Sequence, residues 1–236
     1  MNTSDNPIVK IPSGNTNVYL IRNGNASVLI DAGEKGSKRK ILWALDKYGL
    51  KPEDVHLIVL THSHYDHSGS LKALKDATGA QVLVHRNEAD NLSSGFTPFP
   101  KGTKIFSKLI VALGKTLMKS MARYEPIKPD IVVDDQYDLS PHDISAYILF
   151  TPGHTSGSIS LILKDHDAFI GDAAFNIAGF GIYPPFADDT HELIRTWKKL
   201  LDTGCKRFFP GHGRMITRSQ LEKNLKKRSR GQSVEV

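Results

Sequence analysis

Four times along the chain, a short apolar run typical of a β-strand leads straight into a turn that carries histidine or aspartate. The four junctions are "DVHLIVLTHSHYDH", "YILFTPGHTSG", "AFIGDAA" and "KRFFPGHG". A strand fixes the position of the loop that follows it, and loops at the carboxyl ends of strands are where α/β sheets usually carry their sites. The pattern therefore predicts an α/β fold with these side chains gathered at the strand ends.

The residues at these four strand ends are typical metal ligands. Three of the ten histidines of the chain fall within "THSHYDHSG", residues 61–69. In an extended loop, positions i and i+2 point to the same side, which applies to His62 and His64. The candidate ligands are His62, His64, Asp66, His67, His154, Asp172 and His212. Seven ligands exceed the four that one zinc ion takes, so the set predicts two divalent ions that share a bridging carboxylate.

Composition and charge narrow the class of protein. The net charge of +6 is dispersed apart from "KNLKKRSR" near the end, which is interpreted as a solvated final helix followed by a flexible tail at 229–236. We therefore expect no nucleic-acid partner. Cys205 is the only cysteine, which excludes an intrachain disulfide and fits a reducing compartment. The first residues lack an apolar signal region, and no run of about 18 apolar residues occurs, so we expect a cytoplasmic protein without a membrane partner.

The second half of the chain repeats the first in outline. Without gaps, "VYLIRNGNASVLIDAG" and "ISLILKDHDAFIGDAA" agree in their apolar positions, and Asp31 falls opposite Asp172. Both stretches predict β-hairpins, one for each half of a two-sheet sandwich. Helices are predicted over 37–48, 69–77 and 190–203, and a final helix is predicted to begin at the capping box Ser219–Glu222. No linker separates two cores, so residues 1–236 are predicted to form one domain.

Residues 87–137 do not continue this succession of strands and helices and are predicted to be a helical insert. The loop "SGFTPFPKG" precedes an amphipathic helix over 105–124. Its apolar face consists of Ile105, Leu109, Leu113, Leu117 and Met121. That face fits a lid over the active site, a helix packed on the core, or a contact with a second subunit in a homodimer.

The motifs resemble those of a known family. "THSHYDHSG" is similar to the H-x-H-x-D-H motif of the metallo-β-lactamase superfamily, and "TPGHTSGS", "GDAA" and "PGHG" resemble its later motifs in the same order. The resemblance implies an αββα four-layer sandwich of two mixed β-sheets flanked by helices. It also implies a first metal at His62, His64 and His154, a second metal at Asp66, His67 and His212, and Asp172 as the bridge. Asp31, in "LIDAG", would support a ligand without being one.

A dinuclear centre of this kind implies a hydrolase. Two divalent ions about 3.5–4 Å apart lower the pKa of a bound water from about 15.7 toward about 7, and the resulting hydroxide attacks a carbonyl or phosphoryl centre. Asp66 is predicted to be catalytic, orienting that water and taking a proton. Five imidazoles and two carboxylates suit zinc, and they also accept iron or manganese. We expect a small-molecule substrate that is a thioester, a lactone or a related ester.

The substrate pocket is predicted from the loop that follows Asp172. Tyr183 is its only phenol, and Phe175, Phe180 and Phe186 suggest an apolar acyl group. The glyoxalase II branch usually has a G-R pair after the motif that "GDAAF" matches, and many lactonases have a tyrosine near Phe175. Neither feature is present here.

Two other classes of function remain open. A persulfide dioxygenase-like oxidoreductase uses one iron and leaves the second group of ligands free. A nucleic-acid-processing phosphodiesterase shares the seven ligands, but it should carry a basic and aromatic RNA-docking platform, which the insert lacks.

The histidines outside the motifs are interpreted as structural or exposed; they are His56, His85, His142, His166 and His191. Cys205 is interpreted as a small core residue.

Overall fold

Short strands with alternating apolar residues form the first half of the fold. The structure, a computed structural model, describes residues 8–23, 26–109, 122–163, 167–179 and 181–232. The first sheet contains, in spatial order, β1 (Ile8–Ser13), β2 (Thr16–Asn23), β3 (Ala26–Ile30), β4 (Val55–Val59), β5 (Gln81–His85) and β6 (Ile131–Val133). The first three strands pair antiparallel and the last four pair parallel. The sheet is therefore mixed.

The second sheet is built by the second half of the chain. Its strands lie side by side in the order in which they occur in the chain: β7 (Tyr137–Asp138), β8 (Ala146–Phe150), β9 (Ile159–Leu163), β10 (Asp167–Gly171), β11 (Arg207–Pro210) and β12 (Ile216–Thr217). Only β10 and β11 pair parallel among these described strands. Both predicted hairpins are present: β2 pairs with β3, and β9 pairs with β10. In each half, the hairpin is followed by a strand that joins it in parallel.

Helices cover the outer faces of the two sheets. They are α1 (Lys38–Lys47), α2 (Tyr65–Ser68), α3 (Leu71–Thr78), α4 (Arg86–Ser94), α5 (Thr190–Asp202) and α6 (Arg218–Gln232), with 3-10 turns at Pro52–Asp54 and Ser140–His142. Apolar residues of α1, α3 and α4 pack on the first sheet, and those of α5 and α6 pack on the second. Among the described residues, no helix is both long enough and apolar enough to span a bilayer.

The core between the sheets follows from the two-residue period of a strand. Val28 and Leu57 face the second sheet, whereas Leu29 and Ile58 on the opposite face contact the helices. The second sheet contributes Phe169, whose ring meets that of Tyr19 edge-on at 5.1 Å between centroids. The predicted αββα sandwich of two mixed sheets is confirmed.

Residues 87–137 are not wholly an insertion. Most of α4 lies in this range, and β6 extends the first sheet by pairing with β5. The helix predicted over 105–124 does not reach its predicted end, because Arg123 forms an isolated antiparallel bridge with Phe96. Residues 105–109 are helical, with Ile105 82% exposed and Leu109 56% exposed. Positions 113, 117 and 121 lie outside the described residues, so the role of this helix stays a prediction.

The last helix differs from the prediction at both ends. Its capping box is formed by Thr217 and Gln220, two positions before the predicted pair. The Thr217 N–H donates to Gln220 Oε1 at 2.8 Å, and the Gln220 N–H donates to Thr217 Oγ1 at 3.3 Å. Glu222 instead accepts from Arg218 on the helix surface. The helix continues to Gln232, past the predicted start of the flexible tail, and residues 233–236 are not described.

Candidate metal centre

All seven predicted ligands lie in one cluster at the strand ends. The loop after β4 and the short helix α2 carry four of them, and the turns after β8, β10 and β11 carry one each. Six of the seven are buried, and Asp66 is partly exposed. Their donor atoms form three overlapping groups, and within each group these atoms lie within 4.8 Å of one another: His62–His64–His154, His62–His67–Asp172 and Asp66–His67–His212.

Asp172 lies between the first and the last of these groups. Its Oδ2 is 3.4 Å from His154 Nε2 and 3.3 Å from His212 Nε2, and its Oδ1 is 3.3 Å from His67 Nε2. One carboxylate therefore contacts donor nitrogens on both sides of the cluster. This is the arrangement expected of a carboxylate shared by two cations.

Backbone carbonyls fix the tautomers of two histidines. The Nδ1 of His154 lies 3.0 Å from the Phe186 carbonyl oxygen, and the Nδ1 of His212 lies 2.8 Å from that of Asn15. A carbonyl can only accept, so each Nδ1 carries the hydrogen. In the neutral ring, the lone pair is then on Nε2, which faces the cluster, as in histidines that bind metals.

Asp31 orients two further histidines, as the sequence predicts for a supporting residue. Its Oδ2 lies 2.8 Å from His67 Nδ1, and its Oδ1 accepts the Thr61 N–H at 2.8 Å. The Thr61 hydroxyl donates to Asp31 and accepts from His62 Nδ1 at 3.1 Å. Asp31 reaches these groups from a backbone with φ of 63°, a left-handed conformation that aspartate tolerates better than most residues.

Three buried atoms show that the cluster fits cations. The Nε2 atoms of His62 and His67 and the Oδ1 atom of Asp172 form no hydrogen bond within the described structure. Buried polar atoms without partners are rare in folded proteins because leaving them unpaired is costly. Since all three atoms face the interior of one histidine–aspartate cluster, divalent cations would satisfy them.

The three histidines of the first group are neutral at physiological pH. Burial lowers the pKa of His64 and of His154 to about 4, and it lowers that of His62 well below 6.5. Burial has this effect because it disfavours the charged imidazolium. The group therefore presents unprotonated nitrogens, the form that binds metal ions.

The second group has the opposite protonation in the metal-free protein. Burial lowers the pKa of His212, but Asp172 and Asp66 outweigh it and raise that pKa to about 10. The pKa of His67 is likewise held well above 6.5 by the charges of Asp31, Asp172 and Asp66, against the effect of burial. Burial raises the pKa of Asp66, but the charges of His67 and His212 bring it down to about 2. A cation that binds here must displace protons.

A cavity of about 130 Å³ opens onto the cluster. Apart from the ligands, it is lined by Tyr65, Phe99, Pro100, Phe175 and Phe186. Phe175 and Phe186 lie in this wall. Tyr183 does not line this cavity, because its ring packs against Trp197 at 5.9 Å and lies 3.8 Å from the Arg228 guanidinium. Phe180 is outside the described residues.

Tyr65 is the phenol at the cavity, and sequence reasoning missed it. Its place between His64 and Asp66 does not reveal where the ring points, and α2 turns that ring toward the cavity, against Phe99 at 5.5 Å. Its position in the sequence could have indicated this, since a residue between two ligands at the start of a helix cannot be far from the site.

Among the described residues, the remaining histidines lie outside the ligand groups. His85 stacks on Phe150 at 4.3 Å, and Cys205 is buried in the outer core of the second sheet. His56 and His191 are exposed, and His142 lies against Tyr137. His166 is not among the described residues.

The fold and the site define a class of protein. An αββα sandwich carries, at its strand ends, a cluster of histidine and aspartate side chains whose grouped donor atoms could hold metal ions. The family model of the metallo-beta-lactamase superfamily matches residues 11–212, and the chain belongs to that superfamily.

Individual relatives are distant. The chain is 25% identical to the beta-lactamase-like protein 2 homolog of Drosophila melanogaster, over 85% of this chain and 59% of the relative. It is 24% identical to the atrochrysone carboxyl ACP thioesterase of Aspergillus fumigatus, over 90% of this chain and 58% of that one. It therefore spans less than two thirds of the length of either relative. A metallo-beta-lactamase superfamily protein from Sulfolobus tokodaii, ST1585, shares the fold with a TM-score of 0.68 at 24% identity, covering 94% of this chain and 86% of that one.

Proposed function

We propose that this chain is a hydrolase that uses two divalent metal ions, preferably zinc, to cleave a thioester or a related ester such as a lactone. The observation that carries the proposal is the position of Asp172, whose carboxylate contacts donor nitrogens of both ligand groups. His62, His64 and His154 would hold one ion, and Asp66, His67 and His212 the other. Bound there, the ions lower the pKa of a water and polarise a carbonyl.

Asp66 is the ligand best placed to meet the attacking water. Its side chain lines the cavity, and its Oδ2 lies 3.3 Å from His212 Nε2 and 3.4 Å from Thr16 Oγ1. With a pKa of about 2 it is ionised at neutral pH, so it can accept a hydrogen bond from a water in the cavity. We assign it the orientation of that water toward the acyl carbon.

The chemistry of the leaving group favours a thioester. A thiol has a pKa of about 8.5, so it leaves readily as a thiolate, whereas an alkoxide benefits from a proton donor. Tyr65 is such a donor for the ester alternative. Burial raises its pKa to about 12, so the phenol at the cavity is protonated at neutral pH.

The cavity wall indicates an apolar acyl group. Phe99, Phe175 and Phe186 supply aromatic surface, and none of the described lining residues is a lysine or arginine. A phosphodiester, or an acyl group that carries a carboxylate of its own, would therefore have no basic side chain among these lining residues to pair with. The thioesterase among the relatives supports the same choice of bond.

We also place the enzyme in the cytoplasm, because Cys205, the single cysteine of the described structure, is a free thiol, which fits a reducing compartment.

Metal analysis combined with a substrate panel tests this function. We expect two divalent ions per chain, and hydrolysis of an acyl thioester or lactone with an apolar acyl group but not of a phosphodiester. The variants His64→Ala and Asp172→Ala should lose at least about 10²-fold in kcat, since each removes a ligand that no neighbour replaces. His56→Ala, which removes an exposed histidine outside the site, is the matched control and should be fully active.

The same panel separates the alternatives. One tightly bound iron with oxygen uptake and no hydrolysis would replace the proposal with a persulfide dioxygenase-like activity. Cleavage of the phosphodiester alone would replace it with a nucleic-acid-processing enzyme. Wild-type activity in Asp172→Ala would refute the assigned centre.

A further inference from the structure

A buried carboxylate outside the ligand set lies beneath the first group of histidines. Glu88, in the first turn of α4, is only 1% exposed. In the sequence it looks like an ordinary acidic residue at a helix start, where carboxylates are favoured and usually solvated. A buried carboxylate must be hydrogen-bonded to be tolerated.

One oxygen of Glu88 binds the loop between two ligands. Its Oε2 accepts the backbone N–H of Ser63 at 3.2 Å and also accepts from the Ser63 hydroxyl. Ser63 lies between His62 and His64, so these bonds fix the backbone from which both imidazoles project. Thr97 adds a further bond by donating to the Ser63 carbonyl oxygen at 2.8 Å.

The other oxygen of Glu88 binds the turn that carries the third histidine. Its Oε1 accepts from the Thr155 hydroxyl at 2.6 Å, and Thr155 directly follows His154. The packing is close on this side, because a Cβ on Gly157 would lie 2.6 Å from Glu88 Cγ and 2.8 Å from its Oε1. The bare glycine backbone lets the turn approach the carboxylate.

Glu88 thus joins two segments that are more than ninety residues apart in sequence and that together supply the first ligand group. It differs from Asp31, which contacts the imidazole of His67 directly. Glu88 contacts the backbone and hydroxyl groups next to the ligands. Glu88 therefore helps to set the distance between the loop of His62 and His64 and the turn of His154, through its length and its two acceptor oxygens.

We propose that Glu88 is a positioning residue that sets the geometry of His62, His64 and His154 and thereby their affinity for a divalent cation. The inference rests on the proposed two-metal function. A carboxylate that only stabilised the fold would affect both ligand groups alike, whereas the residues bonded to Glu88, Ser63 and Thr155, adjoin only ligands of the first group. Its removal should therefore act selectively on the first group.

The test is a cobalt(II) titration of the metal-free protein, followed by absorption and by calorimetry. The variant Glu88→Gln keeps the size of the side chain but replaces one acceptor oxygen with an NH₂ donor. Thr155→Val removes only the hydroxyl that Oε1 accepts from, and it provides a second route should Glu88→Gln fold poorly. Asp90→Asn, an exposed carboxylate on the same helix, is the matched control. His154→Ala and His212→Ala assign the two binding steps.

In Glu88→Gln, we expect affinity at the first group to fall about 10–100-fold, the effect typical of residues that orient metal ligands. Its cobalt absorption band should shift, while binding at the second group and the melting temperature of the metal-free protein stay close to wild type. Thr155→Val should show a smaller loss at the same step, and Asp90→Asn none.

The inference is wrong if Glu88→Gln and Thr155→Val bind both ions as wild type does, or if both steps weaken equally together with the melting temperature. Failure of the wild type to bind two ions would instead contradict the proposed function, so the two outcomes are distinguishable.

Discussion

At the scale of single residues, the surroundings of each histidine in the centre decide whether its imidazole is protonated. The imidazole of His64 has its pKa lowered to about 4 by burial, whereas the pKa of His212 is raised to about 10 by Asp172 and Asp66 in spite of burial. The first group is thus ready to bind a cation. The second group keeps its protons until a cation replaces them.

For the proposed two-metal centre, this difference predicts that the two ions bind with different pH dependence. Between about pH 6 and pH 9, affinity at the second group should rise with pH, by up to about tenfold per unit for each displaced proton, because His212 is protonated below a pKa of about 10. Affinity at the first group should be nearly flat, since a pKa of about 4 leaves His64 and His154 neutral throughout.

Zinc titrations of metal-free protein against a competing dye, at several pH values, measure both steps. His212→Ala should remove the pH-dependent step and leave the flat one. Two steps with the same pH slope, or a rising slope only at the first group, would contradict the protonation states described here.

The seven candidate ligands could be predicted from sequence because each follows a strand, and strand ends determine position. The orientation of neighbouring side chains could not. Tyr65 and Tyr183 are both phenols near ligands, but only the packing of α2 against Phe99 brings Tyr65 to the cavity. Glu88 was missed because its partners, Ser63 and Thr155, become neighbours only when the fold is complete.

At the scale of elements, the turns after the strands bring the ligands together with little free space. The N–H of Gly211, after β11, donates to the carbonyl of Gly171, at the end of β10, at 2.7 Å. This bond holds the turn of His212 against the turn of Asp172. A Cβ on Gly211 would lie 2.5 Å from Asp172 Oδ1 and 2.6 Å from His67 Cε1.

Gly211→Ala should therefore disable the centre without unfolding the protein. The added methyl group must push the shared carboxylate or an imidazole aside, and misplacement by about 1 Å can cost about 10²-fold in kcat. Gly204→Ala is the control, because nothing lies near its Cβ and only its positive φ of 82° is disfavoured, at roughly 1–2 kcal/mol. The Gly204→Ala variant should have a lower melting temperature but keep its activity and metal content. A normal kcat in Gly211→Ala would contradict the close packing around Gly211.

The longer elements were predictable from apolar periodicity, whereas short ones were not. The three-residue strand β6 has no periodic signal of its own and belongs to the sheet only because it pairs with β5. For that reason the sequence places it in the insert. The final helix has two overlapping capping patterns, and its start follows the one whose hydrogen bonds form, at Thr217 and Gln220.

At the scale of the whole molecule, the centre lies where the two sheets are bonded to each other. The Asn17 N–H of β2 donates to the Gly211 carbonyl at 2.7 Å, and the Ile159 N–H of β9 donates to the Thr61 carbonyl at 2.9 Å. Ligands from both halves of the chain therefore meet across this junction. The internal repeat predicted two matching hairpins, but it could not predict that the first half supplies four ligands and the second half three.

We propose that these seven residues form one centre for two divalent ions. The most direct measurement is anomalous X-ray diffraction from crystals of the zinc-loaded protein. We expect two anomalous peaks, one enclosed by His62, His64 and His154 and the other by Asp66, His67 and His212, with the carboxylate of Asp172 contacting both. A single peak, or a second peak away from these residues, would contradict the claim.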